Sequence, residues 1–228
     1  MKEHYNGFTE DLVLEHEHPL QGMWLAHSSL LGKGIDPFKS IMDIPPTKAR
    51  QILEQHTTAG RKFESDHIEE RRQAEAWIKT EGEAKGLQPA VDHPLYFRLH
   101  TKPSTVMRTL GRALINMPVT CIPPEVMTFT YDDSFHNFLQ LVGRPSEHTP
   151  PHLQPGIFIA EEVRDRLNTE GFPAEFDGRN PRRYIEVQIW ARELPMLLYA
   201  GALLINAIQE GQTIITVDAV PQSLMQRS

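Results

Sequence analysis

Cysteine is almost absent: Cys121 is the only one in 228 residues. That excludes an intramolecular disulfide and any zinc site built on two or more thiolates. Basic charge is not in excess either. Lys and Arg number 23 against 30 Asp and Glu, a net charge of −7, whereas a protein whose main task is to grip phosphate backbone carries the opposite balance. No apolar run reaches the length of about 20 residues that a membrane span needs. The longest uncharged stretch, Leu194 to Ile208, is interrupted by Asn206 and reads as a buried helix. Met1 to Glu17 carries Lys2, Glu3, Glu10, Asp11, Glu15 and Glu17 without an apolar segment, which does not fit a secretory signal. Repeats and low-complexity tracts are also missing. Gly32-Lys33-Gly34 lacks the spacing of a phosphate loop, and no Gly-x-Ser-x-Gly elbow occurs. These absences lead us to expect a soluble, cytoplasmic protein with no membrane partner and no bulk nucleic-acid binding.

What is present suits a folded core. The hydrophobic fraction is 39%, and 18 prolines with 14 glycines point to many turns and short connections. At roughly 150 residues per domain, the chain is expected to be one α+β domain over 1–228. Residues 46–88 would form a helical subdomain packed on a mixed or antiparallel sheet, a split β-core being one form of it.

Pro45-Pro46 can seed a helix, and Thr47 to Lys85 has helical periodicity through Ala49, Ile52, Leu53, His67, Ile68, Ala74, Trp77 and Ile78. Thr57 to Gly60 can divide it into two helices. The face with Glu64, Asp66, Glu69, Glu70, Arg71 and Arg72 reads as solvated. After residue 90 the period becomes that of strands: 95–99, 124–131, 156–159, 184–190 and 213–217, with an earlier short strand over 22–29. Helices are expected over Phe135–Leu141, Ala160–Glu170 ending at Gly171, and 194–208.

Glu186 is the leading candidate for chemistry. It lies mid-strand and shares a face with Tyr184 and Gln188, while Ile185, Val187 and Ile189 occupy the other. A carboxylate there needs solvent, a cation or a ligand opposite it; the plainer alternative is the wet face of a half-exposed strand. Thr128 to Phe135 ends a strand in Asp132-Asp133-Ser134. There Tyr131 can stack on a flat ring and Ser134 or Asp133 can hydrogen-bond, or Asp and Ser simply cap the next helix. His16 and His18, with Asp11 or His4, are the metal alternative. The other histidines lack partner spacing, so no metal is expected. Cys121 reads as a core or edge residue.

Glu69-Glu70-Arg71-Arg72 with Glu75-Ala76-Trp77-Ile78, then His93 to Phe97, Thr128 to Phe135 and Tyr184 to Trp190 occur in that order. The set resembles an uncharacterised bacterial protein group with an Arg-rich helix, an HPxYF strand, an SFTYGDSF-like strand end and a YIEVQIW-like strand. Asp132 stands where that strand end carries glycine. More loosely, the chain resembles mono-ADP-ribosyltransferases, whose split β-core supplies a polar residue, an aromatic or serine residue and a glutamate in chain order. This resemblance implies NAD as substrate. Glu186, with Gln188, would be catalytic and would stabilise an oxocarbenium-like state as nicotinamide leaves. His27 and Ser28 would hold the adenosine ribose, and Tyr131 with Ser134 the nicotinamide. The alternative of another class is a non-catalytic regulatory protein that binds a small molecule or a protein. A histidine-metal hydrolase is a third.

Overall fold

The computed structural model describes residues 18–30, 38, 40–58, 66–105, 112–145, 155–173, 184–209 and 214–217. Among them the strands are β1 (Trp24–Leu30), β2 (Leu95–His100), β3 (Arg112–Pro118), β4 (Met127–Tyr131), β5 (Ile185–Ile189) and β6 (Ile214–Thr216). The helices are α1 (Pro46–Thr58), α2 (His67–Glu83), α3 (Ser134–Leu141), α4 (Ala160–Glu170) and α5 (Pro195–Gln209). The strands form one mixed sheet in the order β4-β5-β2-β1-β3-β6, antiparallel throughout except for the parallel pair β3–β6. The fold class is α+β.

Cross-strand partners share a face of a sheet, so the register sorts the side chains. Phe97, Val187 and Phe129 are mutual partners on one face. With Leu25, Leu99, Ile115 and Met117 they make the main core, closed by Ala160 and Val163 of α4 and by Met196, Leu197 and Ala200 of α5. The other face carries Tyr96 and Arg98 of β2, Gln188 and Glu186 of β5, and Thr128 and Thr130 of β4. α2 covers the β4 side of this polar face. Gly82 permits the close approach, since a Cβ there would lie 2.8 Å from both Leu87 Cδ2 and Thr128 Cγ2. A small second core of Ile78, Leu87, Ile157 and Trp190 fills the space beneath it.

Several expectations change. The helical stretch over 47–85 is divided, as Thr57 to Gly60 suggested, into α1 and α2, and residues 59–65 between them lie outside the described ones. Its supposedly wet face is only partly wet: Glu69 is exposed, but Glu70, paired with Arg144, and Arg71, stacked on Tyr96 of β2, are largely covered. The strand over 124–131 starts at Met127, because Pro124 leads a 3-10 turn and offers no N–H to a ladder. Residues 156–159 make a single bridge, with Phe158 and Phe129 exchanging two backbone hydrogen bonds of 2.9 Å, which covers the edge of β4. β3 was not expected at all. Its buried Asn116 breaks the apolar pattern and is satisfied locally by Ser104, whose N–H donates to Oδ1 at 2.8 Å and whose carbonyl accepts from Nδ2 at 3.1 Å.

Candidate functional site

β5 is buried on both faces, so Glu186 is not part of a wet strand face. Its neighbour Gln188 is fixed by a chain of buried donors and acceptors. Trp190 Nε1 donates to Thr128 Oγ1 (2.8 Å), and Thr128 Oγ1 donates to Gln188 Oε1 (3.0 Å). Gln188 Nε2 in turn donates to Thr130 Oγ1 (3.2 Å) and to Glu186 Oε1 (3.1 Å). Gln188 therefore holds Glu186 in place and is spent on that task.

The same carboxylate oxygen accepts the backbone N–H of Ser134 at 3.1 Å, at the first residue of α3. The turn that aims this N–H is tightly made. Asp132 has φ +64, the left-handed region that glycine prefers. Thr130 Oγ1 donates to the Asp132 carbonyl, Asp132 N–H to Tyr184 O, and Asn137 Nδ2 to the carbonyls of Tyr131 and Asp133. Asp133 then caps α3 by accepting from Phe135 N–H at 2.9 Å, as an Asp at that position should. We expect Asp132→Val to be less stable than Asp132→Gly by about 1–2 kcal/mol, because a branched Cβ is hindered at positive φ. Urea unfolding of the two variants measures this, and equal midpoints would mean that the turn relaxes out of the left-handed region.

Above Glu186 lies Arg71. Its guanidinium stacks on Tyr96, 4.1 Å from the ring centroid, and pairs with Glu75 (3.5 Å) and Asp133 (3.7 Å). Burial would lower its pKa, but Tyr96, Asp133, Glu186 and Glu75 reverse the effect and hold it charged. Glu75 is 1% exposed and also accepts from His93 Nδ1 (2.7 Å) and Tyr96 OH (2.9 Å). A second stack, Arg98 over Tyr184 at 4.2 Å, stands beside it on the same face. Burial, then repulsion from Asp133, pushes the Glu186 carboxyl up to about 7; Arg71 and the Ser134 donors oppose the rise. The Ser134 hydroxyl is close enough to contribute, although its geometry completes no hydrogen bond. Glu186 Oε2 makes no hydrogen bond among the described residues.

The residues expected to share a cleft with Glu186 are divided between the two faces. Ser134 and Gln188 meet Glu186. Tyr131 pairs with Ile185 on the core face, where its ring meets Phe158 edge-on and Arg166 lies 4.8 Å from its centroid. His27 is also on the core side, between Phe38 (5.2 Å) and Phe97 (5.0 Å), with Nδ1 donating to the Tyr96 carbonyl. Ser28 pairs with Leu114 in the register. His16 and the Gly32–Gly34 loop lie outside the described residues. His18 has its pKa lowered by burial, and its Nδ1 accepts from Leu20 N–H. No cluster of three metal-ligating side chains occurs among the described residues. Cys121 is half-buried, and burial raises its thiol. A shallow groove lined by Lys85, Leu87, Glu125 and Glu161 sits at the end of α2, away from Glu186.

Sequence reasoning did not give Arg71, Glu75, His93, Tyr96 or Arg98 a role. A signal existed for the first two. Arg71 precedes the buried Ala74 and Ile78 by three and seven residues, so it lies on the buried stripe of α2, with Glu75 one turn on. The four motif segments named above converge here: Arg71 and Glu75, His93 and Tyr96, Asp133 and Ser134, Glu186 and Gln188. No protein-family model, curated protein or solved structure matches the chain. Among the described residues, no helix is long and apolar enough to cross a membrane.

Proposed function

We propose that the protein binds a small ligand at the Glu186 face and that Glu186 stabilises positive charge developing on it, in the manner of an ADP-ribosyltransferase-like site that cleaves NAD. The observation that carries this reading is the state of the Glu186 carboxylate: one oxygen is anchored by Ser134 N–H and Gln188, and the other makes no hydrogen bond among the described residues. A buried, pre-positioned acid that titrates near neutrality is the kind of group that functional sites build. Among the described residues three carboxylates, of Glu75, Asp133 and Glu186, meet two guanidinium groups, Arg71 above them and Arg98 opposite Glu186 in the register, so the local balance leans towards a cationic group or a cation-like transition state. In this reading Gln188 is a positioning residue, and Arg98 with Tyr184 offers the aromatic and cationic surface beside the acid. His27 and Tyr131 have no part in it. The reading goes with a cytoplasmic location and needs no metal.

The closed network around Gln188 favours a second reading, a non-catalytic ligand- or protein-binding regulatory protein, because such a network serves rigidity as well as chemistry. Calorimetric titration with NAD together with a nicotinamide-release assay separates the two. Binding with release is the expected result. Binding without release favours the regulatory protein, and neither at millimolar NAD overturns the NAD reading.

A further inference from the structure

Glu75 and His93 form a carboxylate–imidazole pair just ahead of β2, linked to Glu186 through Arg71, the guanidinium that both carboxylates feel. Glu75 is 1% exposed and its two oxygens are held by three groups: Oε1 accepts from Tyr96 OH at 2.9 Å and faces Arg71 Nε at 3.5 Å, while Oε2 meets His93 Nδ1 at 2.7 Å. With an ionised Glu75 the imidazole must donate, so the neutral ring carries its proton on Nδ1 and leaves Nε2 bare. The backbone of His93 is held as well, since its carbonyl accepts from Arg192 at 2.8 Å. The side chain remains 23% exposed, and Nε2 makes no hydrogen bond among the described residues. A buried carboxylate that fixes the tautomer of a partly exposed imidazole is the arrangement that orients a general base.

We infer that Glu75 and His93 are a proton-transfer pair of this site, with His93 Nε2 the base and Glu75 its positioning residue, acting on a water or hydroxyl group beside the ligand. The inference rests on the reading above in taking the Glu186 face as the ligand side. In that reaction the oxygen of the water or hydroxyl bonds to the ribose carbon as the bond from that carbon to the nicotinamide nitrogen breaks. Nicotinamide keeps the electron pair and leaves neutral. The O–H proton passes to Nε2, the Nδ1 proton stays on the ring and hydrogen-bonded to Glu75, and the imidazolium later returns the Nε2 proton to solvent. The charged groups around the ring are Glu75 and Arg71 of α2, the Lys79–Asp92 pair and Arg192.

Two-bond 1H–15N spectra of the wild-type protein test the tautomer without any substitution. The expected neutral form of His93 is protonated on Nδ1; a neutral form protonated on Nε2 overturns the assignment. If NAD is cleaved, His93→Gln should lower kcat on the order of 10²-fold while calorimetric affinity for NAD stays within about threefold, and an unchanged kcat overturns it. If NAD neither binds nor reacts, the ligand reading fails and diethyl pyrocarbonate decides the pair. Faster acylation of His93 than of free histidine at the same pH supports the bare, oriented nitrogen, and slower or absent acylation overturns it.

Discussion

Arg71→Met is expected to destabilise the protein by about 3–5 kcal/mol at pH 8, the scale seen when one partner of a buried charged network is removed. Methionine fills much of the volume and can still lie against the Tyr96 ring. It cannot neutralise Glu75, Asp133 and Glu186, all of which now feel Arg71. Glu75 keeps its hydrogen bonds from Tyr96 and His93, so α2 loses charge balance and not its whole anchor. The cost should be smaller at pH 5, where the raised pKa of Glu186 leaves that group mostly protonated and in less need of a cation. Urea unfolding at both pH values measures the effect. A loss below about 1 kcal/mol would put Arg71 in the class of solvent-screened surface pairs and remove the charge argument for the site.

The outline of the fold was legible because hydrophobic period is a local signal. Alternation in β5 put Glu186 and Gln188 opposite Val187, and Asp133 before α3 declared itself as a cap. Each strand also reported its own two faces. Leu25 and His27 alternate in step, as do Phe129 and Tyr131, which already tied His27 and Tyr131 to apolar neighbours. What the sequence could not report was which face of one strand aligns with which face of another. Register decides this: Glu186 stands opposite Arg98 and Thr130, while Tyr131 stands opposite Ile185. Three residues met in chain order therefore separated in space.

The misjudged face of α2 has a different cause. Glu69 to Arg72 is a run of four charges, and charge runs on helices normally face water. Here the helix lies over a polar sheet face and not an apolar one, so the buried stripe contains Arg71 and Glu75 beside Ala74 and Ile78. Tyr96, His93 and Asp133 supply the partners that permit this burial, and all are distant in sequence. β3 was hidden for a related reason. Asn116 is unfavourable in a strand interior until Ser104 pairs with both ends of its amide.

Glu186→Gln is expected to lose on the order of 10²-fold in any NAD cleavage and to gain stability at alkaline pH. The two effects share one origin. In the folded protein the carboxyl is raised from 4.5 to about 7, by burial first and by Asp133 second. The native state thus holds the proton more tightly than the unfolded chain. The stability this contributes is complete below pH 4.5 and is lost as pH rises through about 7, leaving a buried charge above that. Glutamine keeps an oxygen that can accept from Ser134 N–H and from Gln188 but cannot ionise. The variant should match wild type near pH 4.5 and exceed it above pH 7 by an amount on the order of 2–3 kcal/mol. Chemical unfolding from pH 4.5 to 8.5 checks the stability, and a nicotinamide-release assay checks the rate. A variant less stable than wild type at pH 8 would mean that the charge is well compensated by Arg71 and the helix N-terminus. Stability gained together with activity lost would identify Glu186 as a charge kept in the interior at the expense of the fold, because the reaction uses it.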